Sequence, residues 1–351
     1  MMKKIFKCLL ILALLVSHTL AAAATNIVNN AGVTTSIINT TIIDGAGYYA
    51  IRNEGAITTI NNDSGAYILS IGIGGGQGIV NNESGAGASI SSIINNGTIN
   101  VDSYAINNNS GGIITTISNF NSINSGYYAI ENQGVGTIGT LTNAGSIVAS
   151  QYALLNRSGT FSEINNTGTI SAGSGNAIYN EGLINSITNS GTISSNNGSA
   201  IQNSGTITTI DNTGQLLGLG GDCFQSQCGI LNNGIITTLN NAQTGLTYRE
   251  NLPAYYNIIL GANASNYGTV DFDYLDGSNG VGNKTTFGII GSVKSTQYLG
   301  VFSKLRPSLL NLDSVGATTK TGTYNQSSGV SYDYRLVLRS TTVQDSTNIC
   351  D

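Results

Sequence analysis

Along most of this chain an aliphatic residue is followed two positions later by asparagine, at a nearly constant interval. The pairs run Ile27/Asn29, Ile51/Asn53, Ile79/Asn81, Ile106/Asn108 and Ile130/Asn132, then Leu154/Asn156, Ile178/Asn180, Ile201/Asn203 and Ile230/Asn232. Successive aliphatics lie 24, 28, 27, 24, 24, 24, 23 and 29 residues apart. A second copy sits inside each unit: Ile37/Asn39, Ile60/Asn62, Ile94/Asn96, Ile117/Asn119 and Leu141/Asn143, then Ile164/Asn166, Ile187/Asn189, Ile210/Asn212 and Leu239/Asn241. A third aliphatic often follows Gly-Thr or Gly-Ser, as at Ile99, Ile123, Ile147, Ile170 and Ile193. Self-similarity at such a period marks a repeat architecture, here nine units of two or three short strands.

Helical repeats need an apolar period near 3.6 and good helix formers, whereas these units are rich in Gly, Asn and β-branched residues. Residues at i and i+2 of a strand share one face, so an inward aliphatic brings its Asn inward too. A buried amide must find hydrogen-bond partners. Stacking identical rungs about 4.8 Å apart supplies them, each amide bonding to the Asn above and below. The expected ladder is Asn53, Asn81, Asn108, Asn132, Asn156, Asn180, Asn203 and Asn232. Gly two residues on, as at Gly55, Gly134, Gly182 and Gly205, permits the bend into the next strand. The pattern therefore predicts an all-β parallel β-helix, a solenoid of about nine rungs. No rung is stable alone, because each buries its apolar layer only against its neighbours.

The longer steps mark insertions, expected to bulge as loops around Tyr67–Gly78, Ala86–Ser92 and Gln215–Cys228. They are either contact surfaces or tolerated surface additions. After Asn241 the repeat fades. Tyrosines 248, 255, 256, 267, 274 and 298 and both prolines appear, and alternating stretches read as strands between turns at Asp276-Gly277 and Thr321-Gly322. A solenoid end exposes a raw sheet edge, so residues 246–340 are expected to form a C-terminal β-rich cap of antiparallel hairpins. Residues 25–245 then form the repeats and 341–351 a polar tail.

Composition sharpens this picture. Only 9% of residues are charged, with 46 Gly and 2 Pro, unlike a globular α/β enzyme or a disordered chain. Residues 1–24 have the form of a secretory signal. Lys3, Lys4 and Lys7 precede the apolar run Cys8–Val16, and Ala21–Ala24 offer cleavage before Thr25. Without that segment Lys+Arg falls from 13 to 10 against 18 Asp+Glu, a balance of −8. No basic footprint for nucleic acid remains.

The signal segment, the Gly/Asn-rich I-x-N-x-G-x-I rungs and the stretch TGTYNQSSGVSYDYRLVL resemble the passenger region of bacterial autotransporters over about residues 25–340. The resemblance implies a right-handed parallel β-helix displayed outside the outer membrane. It also implies a C-terminal translocator barrel, for which the chain to Asp351 leaves no room. An outer-membrane translocator encoded separately is one expectation, a truncated or secreted relative another. The expected role is a structural scaffold or adhesin at the cell surface or outside it, engaging a glycan or protein ligand.

Candidate chemistry is sparse. Cys223 and Cys228 lie five apart in an exported setting, which favours a small disulfide loop, while Cys350 reads as an idle thiol. The single histidine, His18, falls in the signal, which removes His-based nucleophilic triads and His-ligated zinc. No catalytic residue, metal site or cofactor is expected. The alternative is a carbohydrate-active β-helix using carboxylates on one face. Its candidates Glu54, Asp63, Glu83, Glu131, Glu163, Glu181 and Asp211 are scattered along the chain, with no tight pair expected among Glu54, Glu131 and Glu181. Asp271, Asp273 and Asp276 suit an Asp-Gly turn better than a calcium loop. Gly-rich Ile71–Gly78 lacks the Lys-Ser/Thr of a phosphate loop. Thr59, Thr116, Thr140, Ser186, Thr209 and Thr238 should form one outward column, interrupted by Glu163 and without a clear second column. Ice binding is the remaining alternative.

Overall fold

The computed structural model describes residues 18–20, 24–30, 32–72, 75–85, 87–220, 228–261, 267–273, 284–291, 298–305, 307–314, 319–325 and 331–337. Among them the chain is a parallel β-solenoid of three long sheets. Sheet A has twelve strands, from His18–Leu20 to Thr286–Gly291; sheet B has nine, from Ala24–Thr25 to Gln215–Gly218; sheet C has twelve, from Ile27–Asn29 to Phe302–Ser303. In each sheet the hydrogen-bonded neighbour is the equivalent strand of the next turn, and every pairing within the three is parallel. His18–Leu20 and Ala24 fall within the segment expected to be a signal. The eleven sheet A levels from Val33–Asn39 onward give a rod of about 48 Å at the normal strand spacing.

The inward positions carry the repeat. Ile51, Ile79, Ile106 and Ile130 stack in sheet C, Ile57, Ile90, Ile114 and Ile138 in sheet A, and Ile68, Ile99, Ile123 and Ile147 in sheet B, all buried. At about 1.5–3 kcal/mol for each buried aliphatic, a rung gains several kcal/mol before chain entropy is subtracted. Sheet A strands show the burial pattern of Ala56–Asn62, in which two successive residues face out before the alternation resumes. That doubled outward step bends the strand without losing its inward register.

Register departs from the sequence reading at one rung. Ile93 pairs with Ile60, and Asn95 pairs with Asn62, so Asn95 enters the core in place of the expected Asn96. Ile93-Ile94-Asn95-Asn96 offers two frames one residue apart, and a one-residue slip exchanges the faces. Ile90 on Ile57 decides between them.

The insertions are also shorter than expected. Tyr67–Ser70 and Gln77–Asn81 are strands, Ser89–Asn95 belongs to sheet A, and Gln215–Gly218 closes sheet B. Past residue 245, Leu246–Glu250, Tyr255–Leu260, Val270–Asp273 and Thr286–Gly291 continue the parallel stack, where antiparallel hairpins were expected. Core identity changes while register persists: Tyr248 lies on Ile230, Tyr256 on Leu239, Phe272 on Tyr248 and Phe287 on Tyr256. Antiparallel pairing is confined, among the described residues, to the hairpin Thr319–Asn325 with Ser331–Val337 and two isolated bridges. Thr321-Gly322 therefore lies inside a strand, and Asp276-Gly277 lies outside the described residues. So do Lys3, Lys4 and Lys7 of the expected signal segment, Cys223 and the tail. Cys228 is fully buried and disulfide-bonded.

Candidate functional site

Two asparagine ladders run inside the rod. In the first, the amide of Asn29 donates to the side-chain carbonyl of Asn53, and the relay continues through Asn81, Asn108, Asn132, Asn156, Asn180, Asn203 and Asn232 at 2.7–3.1 Å. The second links Asn39, Asn62, Asn95, Asn119, Asn143, Asn166, Asn189, Asn212 and Asn241 in the same way. Their remaining N–H groups reach backbone carbonyls, as from Asn53 to Ser89 at 3.0 Å and from Asn119 to Ser146 at 3.0 Å. These amides are structural, and they leave the outward positions free to vary.

The outward face of sheet C is where chemistry collects. Tyr104, Tyr128 and Tyr152 stand in register on three successive rungs, with ring centroids 5.4 and 5.2 Å apart. Tyr179 extends the series at 5.4 Å from Tyr152, and Tyr127 stacks on Tyr128 at 3.9 Å. The Tyr127 ring is 40% exposed, whereas Tyr128 beneath it is buried. A recurring Tyr-Ala-aliphatic at Tyr49, Tyr104, Tyr128 and Tyr152 signals this column in the sequence. The sequence reading missed it, because alignment on the inward pairs draws attention away from the residue two places earlier.

Polar groups thread the same face. Gln77 accepts from Asn107 at 3.2 Å, Asn107 accepts from Gln133 at 3.3 Å, and Gln133 donates to Glu131 at 2.9 Å. Arg157 meets Glu131 at 2.9 Å, donates to the Tyr128 hydroxyl at 3.3 Å and lies over the Tyr128 ring. Glu131 is 2% exposed, and burial pushes its carboxyl above the usual range despite Gln133 and Arg157. Burial likewise raises the Tyr128 phenol, and the hydrogen bond with Tyr127 adds to it.

A second cluster forms two to three rungs toward the N-terminus. The Arg52 guanidinium lies 2.9 Å from Glu54 and 2.7 Å from Glu83, and Tyr49 hydrogen-bonds to Glu83. Burial alone would raise Glu54, but the Ser84 hydroxyl and backbone N–H, with Arg52, hold it below the usual range. The contact with the Glu83 carboxylate raises Tyr49. Thus Glu54 and Glu83 converge on one guanidinium. The other acids stay apart: Glu131 pairs with Arg157, Glu181 with Tyr179, Asp211 with Asn240 and Asp63 with Asn61. Asp271 pairs with Lys304 and Ser303.

On sheet A, Thr59, Thr116, Thr140, Ser186, Thr209 and Thr238 do share a column, with Glu163 within it. The preceding outward positions carry Thr58, Ser91, Thr115, Ser162, Thr208 and Thr237 but are broken by Gly139 and Asn185, so no clear second column forms. No family model, curated protein or solved structure matches this chain.

Proposed function

We propose that the chain is an exported surface protein acting as a structural scaffold or adhesin, akin to an autotransporter passenger. The observation that supports this most is the uninterrupted pair of asparagine ladders. A rod whose buried amides bond to one another from Asn29 to Asn232 holds its shape without a ligand, and its outer faces carry the variation. Many weak contacts along such a rod add through effective concentration. The test is antibody labelling and protease shaving of intact producing cells, followed by adhesion of a deletion strain. Labelling with reduced adhesion supports the reading; a protein found only inside intact cells contradicts it.

A second reading, a carbohydrate-active β-helix, draws on Glu54 and Glu83 converging on Arg52. Two carboxylates at close range are the machinery of glycoside hydrolysis. Release of reducing ends that disappears in both Glu54→Gln and Glu83→Gln would favour it.

A further inference from the structure

The corner between sheets B and C holds a groove that none of the preceding roles uses. It has a volume of about 510 Å³ and crosses the strands beginning at Thr98, Ser122, Ser146 and Thr169. Asn100, Asn124, Val148 and Ser171 pair in register along it, so they form one line parallel to the rod axis. Their spacing is the strand spacing of about 4.8 Å. Asp102, Ser150 and Asn196 lie along the turns that form the other wall. Gly126 and Gly173 keep that wall low. A Cβ on Gly126 would meet the Asp102 carbonyl oxygen at 2.4 Å, and one on Gly173 would meet that of Ser150 at 2.9 Å.

Apart from Ser125, which is bonded to Ser103 and Tyr127, and Asp102, the polar side chains of the lining are unengaged. Among the described residues, the side chains of Asn100, Asn124, Ser150, Ser171 and Asn196 make no hydrogen bond, in a protein whose inward asparagines are all bonded. Asp102, the one charged residue of the lining, accepts from the Gly72 N–H at 2.8 Å. Val148, 38% exposed, puts an apolar patch in the middle of the line. Amides and hydroxyls both donate and accept, which matches ligand hydroxyls that do the same. An apolar patch among them suits the C–H face of a sugar ring. With no basic residue in the lining, anionic polymers have no counter-charge there.

From this geometry we infer that the groove binds a linear, uncharged polysaccharide lying along the rod axis, with Asn100, Asn124 and Ser171 contacting successive sugars and Val148 beneath one of them. The inference names a ligand class for the adhesin reading and rests on it only for biological context.

Affinity electrophoresis of the purified protein tests it, in native gels containing a soluble cellulose ether, mannan, dextran or galactomannan, with alginate as the anionic comparison. Retardation by at least one neutral polymer is expected. Asn100→Ala with Asn124→Ala should weaken it about tenfold, the equivalent of two modest hydrogen bonds. Val148→Arg, a change at an exposed position, should abolish it, while Thr209→Ala on sheet A leaves it unchanged. Circular dichroism checks that each variant is folded. The inference is overturned if no neutral polymer retards the folded protein, if alginate alone does, or if retardation survives both groove changes. Surface labelling of cells is a separate readout, so loss of groove binding and loss of the surface role are told apart.

Discussion

The amide of Asn232 donates to the phenol oxygen of Tyr248 at 3.0 Å, and that phenol donates to the backbone carbonyl of Asn251 at 2.6 Å. Here the first ladder ends. Tyr248 takes the register position of Ile230, one turn on, and its hydroxyl receives the last N–H that an asparagine would otherwise have taken. Burial pushes this phenol far above its ordinary titration range, so it stays a neutral donor at any physiological pH. Beyond it the core fills with rings: Phe272 packs edge to face on Tyr248 and Tyr256, and Phe287 lies tilted against Tyr256.

Tyr248→Phe keeps the ring and removes the cap. Asn232 retains Asn251 as a partner at 2.7 Å, so the expected loss is about 1–2 kcal/mol in denaturant unfolding. An unchanged midpoint would show that the phenol is not the terminus of the relay.

Within the ladder the penalty is larger. Asn156→Ala strips one acceptor from Asn132, which keeps the Gly136 and Thr160 carbonyls, and one donor from Asn180, which keeps only the Gly182 N–H at 3.3 Å. It also removes the donor to the Gly159 and Leu183 carbonyls and leaves a cavity. A loss of about 2–4 kcal/mol is expected by urea titration. Asn96→Ala, on the outward face, should cost less than about 0.5 kcal/mol. Equal effects at the two positions would contradict the register.

Adjacent residues on opposite faces give a sharper contrast. Ile184 is 1% exposed and Leu183 36%. Ile184→Asp buries an unpaired carboxylate and should destabilise by more than about 4 kcal/mol, enough to prevent recovery of folded protein. Leu183→Asp should express and fold. Soluble yield and circular dichroism decide.

Glu131 predicts a pH dependence. Burial favours its neutral form, so the folded state holds that proton to higher pH than the unfolded chain does. The associated stabilisation is present in full below the unfolded value, about 4.3, and is lost as pH rises through the raised folded value. Glu131→Gln removes the charge that burial opposes. The variant should therefore melt above wild type at pH 7, with the difference shrinking toward pH 4. A variant that melts lower at pH 7 would show that the Arg157 pair outweighs burial.

Much of the fold is legible in the chain because inward positions repeat chemically. Ile106/Asn108 and Ile130/Asn132 look alike since each must stack on the other. At Ile93–Asn96 two equivalent frames stand side by side, and pairing with the neighbouring rungs chooses between them. The last turns were hidden for a different reason: Tyr248, Tyr256 and Phe287 fill the same core with larger rings, so the Ile-x-Asn text ends while the stack continues. The candidate site was the least legible. Its tyrosines and the Glu131–Arg157 pair come from separate turns, 24 or more residues apart, and only the coil brings them together.

The central claim is that successive repeats advance along one axis by one strand spacing. Spin-label distances read this directly, using cysteine pairs joining Thr59 to Ser186, Thr209 or Thr238 in one sheet A column, in a Cys350→Ser background. The pairs lie five, six and seven rungs apart. Narrow distributions near about 24, 29 and 34 Å are predicted, one increment per rung whatever the number of intervening residues. Broad distributions, or distances that fail to rise in equal steps, would contradict the solenoid and every role built on it.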